Sequence, residues 1–385
     1  MTVRKFLLKT HLYLGLSAAV FFVILGLTGA IIAFEEDMER WLHPHLHHVA
    51  DAGQPLAEGE LIERVNRQIA PARVVFAKFP RRPAGSHAMS TLSGNAPPSA
   101  LLSSAGWRNW VSGGAGRAVV FVNPADATIL GRYTAVPENQ RILAKIHQFH
   151  MRLAPDARSW GTFAKVGRQV VDYSGLALCI LAPTGVVLWW RTKRAWIKRA
   201  DSWFHLCFDL HNAVGIYAAL FLFLAALTGV VVGFSSVEEA IYAVTRSSHV
   251  WRSGGPDSTP SPGSVPIGVD RAIQIARQEI PEAAVDGVLL PQSRSASFIV
   301  LMRVPEEVTD AVHSSVVVDQ YSGKPLQVLN FKKDSLGYRM VRLNRALHTG
   351  DFFGLPTHIL FSISSLVLVL MVVTGIVIWW KKLAV

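Results

Sequence analysis

The sequence predicts a membrane α-helical protein: four transmembrane helices from a tandem duplication, with two α+β domains outside the membrane. Three observations predict it. Half of the residues are hydrophobic and only 17% are charged, too apolar a balance for an ordinary soluble enzyme. Four apolar runs, near 12–34, 166–190, 210–234 and 357–380, each exceed the roughly 20 helical residues that cross a hydrocarbon core of about 30 Å. The chain also matches itself: HLYLG at 11–15 pairs with HNAVG at 211–215, and LTG at 27–29 with LTG at 227–229, both at an offset of 200. Each half then carries a loop and a second helix, ending TGVVLWW at 184–190 or TGIVIWW at 374–380.

The elements follow in order from charge and span length. Arg4, Lys5 and Lys9 precede the first span, Arg191, Lys193, Arg194, Lys198 and Arg199 follow the second, and Lys381 and Lys382 follow the fourth. By the positive-inside rule these segments are cytoplasmic and the long loops lie outside, where Glu35, Glu36 and Asp37 fit. The net charge of +11 therefore belongs to the flanks of spans, and no nucleic-acid partner is expected. The division is 1–34 for the first span with a cytoplasmic N-terminus, 35–150 for the first outside domain, and 151–190 for a lead-in and second span. A cytoplasmic loop, 191–207, leads to the third span at 208–234. The second outside domain is 235–348, and 349–385 holds the fourth span and a cytoplasmic C-terminus. The first run exceeds a secretory h-region and lacks a small-residue cleavage site, so a retained helix is expected. Trp189-Trp190 and Trp379-Trp380 fit an interfacial aromatic belt.

Both loops carry a helical stretch, 60–68 or 269–280, followed by two strands around a turn, 118–133 or 315–328. The segments 83–116 and 253–266, rich in Gly, Ser, Pro and Ala, read as linkers; Trp107, Arg108 and Trp110 within the first are candidates for stacking on a bulky chelate, or for a local hydrophobic tuck. Cys179 and Cys207 are poorly placed for a disulfide, and no Cys-x-x-Cys-His motif exists. No dinucleotide fingerprint, Walker loop or nucleophile elbow stands in a strand-to-helix context. The cytoplasmic loop is too short for a flavin or nicotinamide domain.

The paired His-x-x-x-Gly helices, the paired Thr-Gly and Trp-Trp endings and the two strand pairs resemble the PepSY-associated transmembrane helix family over nearly the whole length. Among its members the chain is similar to the inner-membrane siderophore reductases. The resemblance implies two periplasmic PepSY-like domains on a four-helix bundle in a bacterial inner membrane. It also implies non-covalent haem b.

Haem iron takes nitrogen donors above and below the porphyrin, and neutral histidines on facing helices supply them. His11 and His211 occupy equivalent positions, each followed four residues on by a glycine, Gly15 or Gly215, on the same helix face. They form the first expected axial pair, with the glycines admitting a flat macrocycle; the alternative is headgroup anchoring and close helix packing. IHQFH at 146–150 aligned with NRALH at 344–348 sets His150 opposite His348, the expected outer pair, with an interfacial hydrogen bond as the alternative. His147, His205 and His358 are reserve ligands. Arg168 and Arg345 are candidate partners for haem propionates. Two haems, with iron held by His11, His211, His150 and His348, would lie near opposite membrane faces. The four Thr-Gly pairs read as small-residue helix contacts. The cluster His43, His45, His47, His48 invites a metal, but no carboxylate or cysteine completes a site, and a solvated turn is the alternative.

The expected activity is a reductase passing electrons to periplasmic ferric iron bound by a siderophore. The donor is a cytoplasmic reductant or quinol from the lipid bilayer. The competing class is a non-enzymatic component that binds a peptide or partner, or assists iron uptake without electron transfer.

Overall fold

The computed structural model describes residues 2–49, 53–79, 87–92, 117–133, 138–155, 160–197, 202–247, 255–260, 263–305, 314–350 and 352–383. The chain divides into two compact units, one of 1–35, 142–244 and 343–385 and the other of 36–141 and 245–342.

The first unit is a four-helix bundle of α1 (Val3–Ile32), α6 (Gly161–Thr192), α7 (Trp203–Gly233) and α11 (Leu355–Leu383). All four are long and apolar enough to cross a membrane. A helix suits that solvent because it satisfies its backbone polar groups within itself. Many inward residues are small or hydroxylic, including Ala18, Gly26, Ser174, Ala218, Thr228, Ser364 and Thr374, whereas Tyr13, Val20, Tyr217 and Leu220 face outward. This is the pattern of helices that pack closely among themselves and present large apolar side chains to lipid. α1 and α7 each pack against both α6 and α11, so α1 and α7 oppose one another diagonally. A mid-bundle apolar layer contains Ala18, Phe22, Ala177, Leu181, Ala218, Leu222 and Leu368.

The third span begins earlier than the sequence indicated. His205 and Cys207 belong to α7, not to a preceding loop, because the Ser202 hydroxyl caps the helix by accepting the His205 N–H. Two further helices, α5 (Glu138–Arg152) and α10 (Leu336–Thr349), were assigned by sequence to the outside domains. From Ile142 and Leu343 onward they belong to the bundle unit, because their C-terminal turns carry His150 and His348 against α1 and α7. Short α8 (Ser235–Val244) continues from α7.

The second unit contains α2 (Glu35–Leu42) from Glu36 onward, α3 (Pro44–His47), α4 (Glu58–Ile69), α9 (Val269–Glu279) and eight strands: β1 (Arg73–Lys78), β2 (His87–Leu92), β3 (Arg117–Val122), β4 (Ile129–Tyr133), β5 (Ala284–Leu289), β6 (Phe298–Arg303), β7 (Ser314–Val318) and β8 (Pro325–Leu329). The strands form one sheet in the order β4-β3-β2-β1-β5-β6-β7-β8. The expected separation into two outside domains thus gives way to one sheet, joined where Phe76 pairs with Leu289, Ala77 with Val288 and Lys78 with Gly287. Leu61, Ile62, Val65 and Ile69 of α4 and Ala272, Ile273 and Ala276 of α9 share a core with the sheet. Val75, Phe121, Ile299 and Val317 belong to a second apolar cluster. Burial on both faces explains the nearly continuous apolar run of β3.

The segment read as a first linker contains β2, paired throughout with β3; its Trp107, Arg108 and Trp110 lie outside the described residues. The described part of the second linker is tied down through Ser258 and Thr259, whose N–H groups donate to the Ser295 carbonyl and the Asp319 carboxylate.

Candidate functional site

The four principal histidines all lie in the bundle unit, in two sets. At the end bearing Arg4, Lys5, Arg191 and Lys381, His11 on α1 faces His211 on α7, with ring centres 6.4 Å apart and planes at 86°. Two metal–imidazole bonds of about 2 Å each, with about 1 Å from each nitrogen to its ring centre, give a separation of about 6 Å. The spacing therefore suits two imidazoles bound on opposite sides of one metal ion. At the other end, His150 and His348 approach closely enough for charge on one to affect the other.

Each histidine is seated on a Thr-Gly pair of a neighbouring helix. His11 Nδ1 lies 3.0 Å from Thr184 Oγ1, and His211 Nδ1 lies 2.9 Å from Thr374 Oγ1. His150 Nδ1 lies 3.0 Å from Thr28 Oγ1, and His348 Nδ1 lies 3.1 Å from Thr228 Oγ1. The next residue leaves room for the ring. A Cβ on Gly29, Gly185, Gly229 or Gly375 would fall 3.1, 3.2, 3.0 or 3.4 Å from the Cε1 of His150, His11, His348 or His211.

The hydrogen-bond geometry favours one tautomer. A hydroxyl has one proton, and each threonine donates it to the carbonyl four residues earlier: Ile24, Ile180, Leu224 or Leu370, at 2.6, 2.8, 2.7 and 2.8 Å. Its oxygen is then free to accept from the histidine. The carbonyl three residues before each threonine, of Leu181, Leu25, Met371 or Ala225, also engages the corresponding imidazole. At His348 the Ala225 carbonyl lies 3.1 Å from Nδ1 itself; carbonyls only accept, so Nδ1 carries the proton there and leaves the Nε2 lone pair available to a metal, and the like-built seats of His11, His150 and His211 suit the same tautomer. Outside the spans, burial and then the charges of His348 and His147 push His150 down to about 3. Burial also lowers His348, with Arg345 and Arg168 acting in the same direction. Both imidazoles are therefore neutral near pH 7, the form that ligates.

The structure gives the other expected residues different surroundings. A Cβ on Gly15 would meet Leu181 at 3.9 Å, and one on Gly215 would meet Met371 at 3.1 Å; the glycines touching the principal histidines are those of the Thr-Gly pairs. His147 Nδ1 is 2.8 Å from Glu35 Oε2. His358 stands edge-on to Phe34 and His205 beside Phe204. Arg168 donates to Asp172 and to the Val232 carbonyl, while Arg345 lies one helical turn before His348. Among the described residues no group of three or more His, Cys, Asp or Glu side chains is arranged to hold a metal ion. In particular, His43 and His47 stack edge-on against Tyr133 and Phe121.

The fold and site together define an integral membrane protein whose helix bundle holds paired, half-buried imidazoles near both ends. The chain belongs to the PepSY-associated TM region family, whose model matches residues 8–382. No curated protein matches it.

Proposed function

We propose that the chain is a haem-containing reductase of the bacterial inner membrane, passing electrons across the bilayer to periplasmic ferric iron bound by a siderophore and so releasing Fe(II) for uptake. The observation that carries this reading is the opposed His11–His211 pair with its 6.4 Å ring separation. His11 and His211 would hold one haem b and His150 and His348 a second, all through Nε2. Bound haem supplies one-electron chemistry, which the side chains of this protein do not provide.

The protein's own part is to bind, orient and insulate. His11 and Thr28 are 17 residues apart on α1, about 25 Å at 1.5 Å per residue. Between them Phe22, Leu181, Leu222 and Leu368 close the bundle with apolar side chains. That layer excludes water and ions while leaving a short, packed path for electrons. At the acceptor, one electron converts ferric iron to ferrous iron, and hard-oxygen chelation weakens with the lost charge. The donor is a cytoplasmic reductant or quinol.

An absorption spectrum of protein purified from haem-replete cells tests the reading. A Soret band with sharp reduced α and β bands is expected, and His211→Ala should remove one of two haem components. Colourless wild-type protein would sink the reductase and leave the non-enzymatic membrane component as the better account. Given bound haem, a reduction assay with several ferric siderophores identifies the acceptor.

A further inference from the structure

We infer that Thr28, Thr184, Thr228 and Thr374 are positioning residues that fix the tautomer and raise the donor strength of the four histidines, and thereby hold down the reduction potential of the bound groups. The inference rests on the haem reading above and extends it to residues that do not touch the iron. Four observations converge. Each principal histidine meets one threonine at 2.9–3.1 Å through Nδ1. Each threonine hydroxyl also has a carbonyl acceptor on its own helix at 2.6–2.8 Å, which leaves its oxygen able to accept from the imidazole. A glycine follows every threonine, and its hydrogen faces the imidazole Cε1. The seats join helices far apart in sequence, with separations of 173, 122, 163 and 120 residues.

Helix packing alone does not require this arrangement. Gly26 supports close packing of α1 on α11, since its Cβ would stand 2.6 Å from the Ser365 carbonyl oxygen, and it is preceded by Leu25 rather than by threonine. The threonines add hydrogen-bond acceptors where the imidazoles need them. An acceptor on Nδ1–H pushes electron density toward Nε2, making it a stronger donor, and the partner residue also fixes ring orientation. A stronger donor favours ferric over ferrous iron, so removing the acceptor should raise the potential. Outer-shell partners of this kind typically change metal affinity by roughly 10–100-fold when removed.

The test compares full-length wild type with Thr374→Val, Thr374→Ser, Thr184→Val and His211→Ala, reading bound haem and midpoint potentials by spectroscopic titration. Valine keeps the shape of threonine without the acceptor; serine keeps the acceptor. Thr374→Val should raise the potential of the component that His211→Ala removes, and weaken its haem affinity by roughly 10-fold or more. Thr374→Ser should restore both. Thr184→Val reaches the same pair through His11 and should move the same component in the same direction, so the inference stays testable if one valine variant folds poorly. If His211→Ala removes a component while neither valine variant moves its potential, the positioning role is wrong and the haem reading stands. If the wild type binds no haem, both fall.

Discussion

At the scale of single residues, each of the four histidines meets a threonine on a neighbouring helix. The constant offset of 200 residues picked out His11 with His211, because motifs that match at one offset mark positions that chance seldom repeats. The four threonines repeat just as regularly, yet Thr-Gly in an apolar helix reads first as a packing motif, and its partner lies more than 100 residues away. Gly15 and Gly215 drew attention for the opposite reason: they share a helix with a histidine, whereas the glycines that matter to the ring lie on the neighbouring helix. A second residue invisible as a site in the sequence is Asp319. It is 3% exposed, and its carboxylate accepts the N–H groups of Thr259, Tyr321 and Ser322 at 2.8–2.9 Å. Burial alone would raise its pKa, but the Ser322, Thr259 and Tyr321 N–H groups outweigh burial and pull it below the ordinary carboxylate value. The stability it contributes is present above the unfolded-state value of about 3.9 and is lost as pH falls through the lower folded value. Asp319→Asn should therefore cost about 1.5–3 kcal/mol at pH 7. In thermal unfolding of the detergent-solubilised chain, the gap from wild type should narrow at pH 3; an equal gap at both pH values would exclude the charge as its cause.

At the scale of elements, the spans were legible because length and apolarity are set by the bilayer itself. The strand pairs β3–β4 and β7–β8 were legible because apolar β-branched runs flank clear turns. β1, β2, β5 and β6 were not assigned: β2 mixes His87, Ser90 and Thr91 with apolar residues, and pairing partners decide their state. The boundaries around α5 and α10 failed similarly, since amphipathic helices do not announce which unit they cover. The joint between β1 and β5 contains one close approach. A Cβ on Gly287 would lie 2.7 Å from the Ala77 carbonyl oxygen and 3.3 Å from the Phe76 ring. Gly287→Val should force those strands apart at a cost of about 1–3 kcal/mol. Hydrogen exchange should quicken in 73–78 and 284–289 while β7–β8 stays protected, and unchanged exchange at the joint would refute this account of it.

At the scale of the molecule, the antiparallel packing of the spans decides which flanking charges share an end. In all four contacts between adjacent spans the helices run antiparallel, as shown by pairs such as His11–Thr184, Thr192–Asn212, His211–Thr374 and Ala30–Ser362. Arg4, Lys5, Arg191, Lys193 and Lys381 therefore gather at one end of the bundle, the end of His11 and His211. Lysine and arginine in short flanking segments resist translocation, so this end should face the cytoplasm, and with it the histidines that would receive electrons first. Orientation thus decides whether the proposed current runs outward. A background with Cys179→Ser and Cys207→Ser, carrying either Lys5→Cys or Glu63→Cys, separates the two possibilities. A membrane-impermeant maleimide applied to intact spheroplasts should label the Glu63→Cys protein and leave the Lys5→Cys protein unlabelled until the membrane is opened. The reverse pattern would place His11 and His211 outside, and the direction proposed for electron transfer would have to be abandoned even if both haems were present.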